Sequence, residues 1–90
     1  MNMMQMEHDL TGKLCWWSKL NRARQTVLLS MAYDMGLAGL LQMTRFLSLA
    51  ERGEYARAAE DMLNSDWARE NDQRARELSA MMATGAELPE

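Results

Sequence analysis

The chain has 90 residues, 48% of them hydrophobic and 26% charged, with a formal net charge of −3. That length holds one domain with a single core, and the composition is too apolar for a disordered chain. The small negative charge argues against a nucleic-acid-binding module, which carries a basic face, and the one cysteine, Cys15, excludes an internal disulfide and fits a reducing compartment.

Met1 to Met6 contains four methionines. It reads as a loose start, or as an adaptable apolar patch of the kind methionine-rich surfaces provide. It has neither a basic n-region nor an apolar h-region, so it is not a secretory signal. From Glu7 to Lys19 the pattern is mixed. Leu10, Leu14 and Trp17 share one helical face, but Gly12 weakens a helix there. Asn21 is suited to cap the first long helix, along which Ala23, Val27, Leu28, Met31 and Met35 recur at helical spacing. Gly36 is placed to end it in a left-handed conformation, and Leu37 to Gln42 allows a further short turn. The stretch from Val27 to Met43 is the most apolar. Ser30, Asp34, Gly36, Gly39 and Gln42 interrupt it, so it reads as two buried helices with a joint, not a membrane span.

Thr44 is expected to cap a helix through about Arg52 that buries Phe46 and Leu47 and ends at Gly53. The next helix starts at Glu54, with Tyr55, Ala58, Ala59, Met62 and Leu63 on one face. Ser65 to Glu70 is a short turn or helix that carries Trp67. Asn71 or Asp72 caps the last helix, with Ala75, Leu78, Ser79 and Met82 inward and Gly85 at its end. Leu88-Pro89-Glu90 reads as a tail. No run alternates as a strand does, so the expected fold is all-α, with five to seven short helices.

Residues with reactive chemistry are sparse. His8 is the only histidine, and a metal site needs three or four ligands at suitable spacing, so neither metal nor cofactor is expected. A Cys15–His8 nucleophilic pair has no supporting pattern. Cys15, beside Trp16 and Trp17, is expected as a buried small hydrophobe. Glu51 and Glu54, and Glu60 and Asp61, are neighbouring acids. On amphipathic helices such acids form solvated faces unless a pocket separates their proton affinities. Trp16, Trp17 and Trp67 are either core residues or partly exposed aromatics that meet a sugar face or a partner protein. Arg74, seven residues after Trp67, would line the same surface as Trp67.

The ordered residues Leu20-Asn21-Arg22-Ala23-Arg24-Gln25, Leu28 and Met31-Ala32-Tyr33-Asp34-Met35-Gly36 resemble the C-terminal lobe of T4-type phage lysozymes, the endolysins of glycoside hydrolase family 24. The resemblance continues through Gly39, Thr44, Leu47 and Gly53-Glu54-Tyr55-Ala56-Arg57-Ala58-Ala59. It ends with Ser65-Asp66-Trp67-Ala68-Arg69, Asn71, Arg74-Ala75 and Met81-Met82-Ala83-Thr84-Gly85. It implies a compact multi-helix lobe over residues 20–86, preceded by a segment 1–19, partly helical or flexible, and followed by a tail 87–90. It places Leu28, Met31, Leu47, Met62, Leu78 and Met82 in the core. It matches Trp67 to an aromatic near the saccharide cleft and Arg74 to an arginine facing the catalytic glutamate. Asp34 falls where the family often has a glutamine that contacts sugar.

In that family the catalytic glutamate, aspartate and threonine lie in an N-terminal lobe, and nothing before Leu20 matches it. A glycosidase needs two groups across the scissile bond, so the chain is expected not to be an enzyme. The preferred expectation is a non-catalytic, cytoplasmic phage or prophage protein that binds and inhibits a host protein, with an anti-CRISPR or other anti-defence role. The alternative is a peptidoglycan-binding or complementing lobe of a phage lysozyme. Trp16, Trp17, Trp67, Arg74 and Asp34 are the expected binding residues. Neither nucleic acid nor membrane is expected as a partner, and a homodimer is left open.

Overall fold

Asn21 has an extended backbone, and its side-chain oxygen accepts a hydrogen bond from the Arg24 N–H at 3.0 Å. A helix start leaves its first N–H groups unpaired, so a side-chain acceptor there fixes where the helix begins. In the computed structural model, which describes residues 3–86, this cap opens the longest helix. The order is α1 (Met3–Lys13), a 3-10 turn (Trp17–Lys19), α2 (Arg22–Leu41), α3 (Thr44–Glu51), α4 (Tyr55–Leu63), α5 (Asp66–Glu70) and α6 (Asp72–Thr84). No strand occurs among the described residues, so the fold is all-α as expected. Residues 87–90, read as a tail, lie outside the described residues.

Helix α2 is two helical pieces joined at Gly36, where φ is 83° and ψ is 155°. Only glycine enters that region without strain. A left-handed cap was the expectation, but the extended ψ turns the backbone out of the helix and Leu37–Leu41 resumes it. Gly36 is therefore a break, not a closing cap. Gly85 does take the left-handed conformation, at φ 73° and ψ 14°, and ends α6.

Other expectations are corrected. Met43, not Thr44, occupies the cap position of α3, because the Leu47 N–H bonds to the Met43 carbonyl at 3.0 Å. Asn71 does occupy the cap position of α6, where its carbonyl accepts from the Ala75 N–H at 2.7 Å, but its side-chain amide donates to the Trp67 carbonyl at 3.0 Å and closes α5 in place of capping α6. Leu63, placed on the inner face of α4, is 42% exposed. One residue beyond buried Met62 the helix has turned by about 100° and points it away from the core. Cys15 is exposed, not buried, because Leu14 and Trp16 on either side of it take the inward positions of the turn.

A single core gathers Val27, Leu28 and Met31 of α2, Phe46 of α3, Met62 of α4 and Met82 of α6. The six core residues expected from the resemblance, Leu28, Met31, Leu47, Met62, Leu78 and Met82, are all buried. Met6, Leu10 and Leu14 join the same cluster. The stretch expected as a loose start thus supplies, from Met3 on, the first turn of a helix packed against α2. The most extensive interhelical packing is between α4 and α6. Among the described residues no single helix is long and apolar enough to cross a membrane. The apolar pair α2 and α3 is bent by 102°, and its large side chains fill the core.

The C-terminus of α6 is held by the start of α2. Asn21 Nδ2 donates to the Gly85 carbonyl at 2.9 Å, and Arg24 donates through Nε to Met82 at 2.9 Å and through Nη2 to Ala83 at 3.3 Å. A helix end leaves carbonyls without internal partners, and these donors satisfy three of them.

Candidate functional site

Ser65 starts the short helix α5 by accepting from the Ala68 N–H at 3.2 Å, while its own hydroxyl donates to the Met62 carbonyl at 2.6 Å. The cap sets the direction of α5 and so of Trp67 in its first turn. The Trp67 ring is buried at 6% exposure. A buried indole N–H needs an acceptor, and Trp67 Nε1 donates to Asp34 Oδ2 at 3.1 Å. Arg74 Nε lies 3.1 Å from the same oxygen. Asp34 sits on α2 just ahead of the break at Gly36, and its side chain is 20% exposed.

One carboxylate oxygen thus ties α2, α5 and α6 together and assembles three of the five residues expected to bind. The other two lie elsewhere. Trp16 and Trp17 are buried at the joint between α1 and α2, where the Trp17 carbonyl accepts from Gln25 Nε2 at 3.1 Å.

Beside the cluster runs a groove of about 440 Å³, lined by Asp34, Met35, Gly39, Gln42, Met43, Ser65, Asp66, Trp67, Glu70 and Asn71. Sequence reasoning missed Gln42, Met43 and Glu70. They come from the loop after α2 and the end of α5, and no spacing rule links those two places. The break at Gly36 is the one signal that could have found Met35 and Gly39, since a chain that leaves its helix opens space around the break.

The remaining candidates resolve into surface features. Glu54 receives Arg52 at 3.2 Å and Arg57 at 3.1 Å, and Asp61 receives Arg45 at 3.5 Å. Glu54 and Asp61 are therefore members of ion pairs, and Glu51 and Glu60 beside them are exposed. His8 is exposed and lines a shallow depression with Asp9, Gly12, Lys13 and Leu37. Among the described residues no group of three or more His, Cys, Asp or Glu side chains could hold a metal ion.

Over 69 residues, 77% of the chain, the sequence is 28% identical to the protein named "Probable T4-type lysozyme 1" of Dictyostelium discoideum. The chain resembles T4-type lysozyme. Over 78 residues, 87% of its length, this lysozyme-like chain is also 29% identical to the pre-baseplate central spike protein Gp5 of Enterobacteria phage T4. Those 78 residues are more than the stretch from Leu20 to the C-terminus holds, so that match reaches into the segment that contains α1. The matched regions are 41% of the lysozyme and 13% of the spike protein. The lysozyme-like chain thus spans less than half the length of either relative. No family model matches it.

Proposed function

We propose that this lysozyme-like chain is a non-catalytic lobe that binds the glycan strands of peptidoglycan along the groove beside Trp67. The observation that carries the reading is the convergence of Asp34, Trp67 and Arg74 at the wall of a groove in a chain similar to lysozyme. Sugar sites combine an aromatic wall with a few convergent polar groups, and this groove pairs the Trp67 edge and two methionines with carboxylates and the Gln42 amide.

Binding without hydrolysis accords with the chemistry of the cluster. Hydrolysis of a glycosidic bond requires an acid and a second carboxylate across the bond. Asp34 is instead committed to holding Trp67 and Arg74. Trp67 is buried like Trp16 and Trp17, so the groove offers a sugar the edge of that ring and not its face.

The test is cosedimentation of the full chain with purified sacculi. Gln42 is exposed and lines the groove, so Gln42→Trp fills it without touching the core. Retention of the parent chain and its loss in this variant, at unchanged helical content, is the expected result. Equal retention of both, or of neither, overturns the proposal.

A further inference from the structure

We propose that Gly39 holds this groove open. It leaves room for the Met35 side chain to lie along the backbone, and a side chain at position 39 would push the thioether into the path of the glycan. The proposal rests on the glycan-binding reading above and adds to it the residue that sets the width of the site.

Gly36 and Gly39 act on the same methionine. In an unbroken helix, residues four apart keep their β carbons about 5–6 Å from each other. The break at Gly36, with φ 83° and ψ 155°, removes that separation between positions 35 and 39. A Cβ built on Gly39 would stand 3.3 Å from both Cβ and Cγ of Met35 and 3.7 Å from its Sδ. Carbon atoms in contact prefer about 3.5–4 Å, so Met35 takes its present position because residue 39 has no side chain. The backbone gives glycine no advantage there. Gly39 lies within the resumed helix, and its φ is not positive. Helix propensity by itself favours alanine at such a place, which leaves the Met35 contact as the physical reason for glycine.

Met35 and Gly39 both line the groove beside Trp67. Met35 is half-buried and packs against the core on its inner side. A side chain displaced from Gly39 therefore has one free direction, outward into the groove. Methionine is unbranched and has three rotatable bonds, so Cγ and Sδ can swing that way while the helix stays intact. The groove narrows, and the fold does not change.

The experiment measures retention on purified sacculi for the full chain, Gly39→Ala, and Gly39→Ala combined with Met35→Ala. Gly39→Ala is expected to bind roughly tenfold more weakly than the parent at unchanged helical content. The double variant lacks the displaced Cγ and Sδ and is expected to bind more tightly than Gly39→Ala alone. A glycine with a merely structural role would not give rescue by a second truncation. Three outcomes overturn the role of Gly39 and leave glycan binding standing: equal retention of Gly39→Ala and the parent, a loss that accompanies lost helical content, or a double variant no tighter than Gly39→Ala. Failure of the parent to be retained overturns the glycan reading and the role of Gly39 with it.

Discussion

Arg24 lies over the ring of Tyr55, with its guanidinium carbon 3.5 Å from the ring centre. The same guanidinium donates to the Met82 and Ala83 carbonyls, so a half-buried arginine links the start of α2, the start of α4 and the end of α6. A cation over an aromatic face contributes about 0.5 to 1 kcal/mol, and each helix-end hydrogen bond about 1 kcal/mol net. Arg24→Ala is expected to lower stability by about 2 kcal/mol. Arg24→Lys should lose less, about 1 kcal/mol, because the charge remains while the planar fork does not. Urea unfolding followed by circular dichroism checks both.

Gly85 has φ 73°, and a Cβ built on it would stand 2.9 Å from Asn21 Nδ2 and 3.0 Å from the Arg24 guanidinium. Gly85→Ala therefore combines left-handed strain with displacement of two donors that hold the end of α6. A loss of about 2 kcal/mol is expected. Gly85→Asn should be no better, since its tolerance of the left-handed conformation does not remove the contact. A thermal melt of the two variants beside the parent decides this.

Gly12 is the opposite case. It lies within α1, its φ is not in the left-handed region, and a Cβ there would meet nothing within 4 Å. Glycine in a helix interior costs about 0.8 kcal/mol relative to alanine. Gly12→Ala is expected to stabilise the chain by about that amount, seen as a higher urea midpoint at unchanged slope.

Leu10 of α1 is fully buried in the core shared with the other helices. If α1 unfolds together with the rest of the fold, Leu10→Ala costs about 3 kcal/mol and shifts the whole transition. A separate early transition that leaves the main one in place would show that α1 is an independent appendage. Comparing tryptophan fluorescence with helical ellipticity distinguishes the two, because Trp16 and Trp17 sit where α1 meets α2.

Where function was concerned, the sequence was most legible at positions governed by local rules. Asn21 caps α2 because a short polar side chain before an apolar helical repeat has few other roles, although Thr44 obeys the same rule and lies one residue inside α3. Asp34 could be singled out only through the family resemblance. Its actual task, holding both Trp67 and Arg74, depends on three helices meeting, which periodicity does not encode. Cys15 and Leu63 were misplaced for a related reason. Both lie at the ends of regular pattern, where one residue of rotation exchanges the inner and outer faces. The burial of Met6 was hidden by composition, since a methionine-rich start reads alike whether frayed or packed.

The tie between Asn21 and Gly85 brings together two points 64 residues apart along the chain. The backbone therefore enters α2 and leaves α6 at nearly the same place, and α1 lies outside that neck yet inside the same core. Closing the neck and filling the core are separate tasks here: a cut ahead of Asn21 would keep the closure while stripping Met6, Leu10 and Leu14 from the interior.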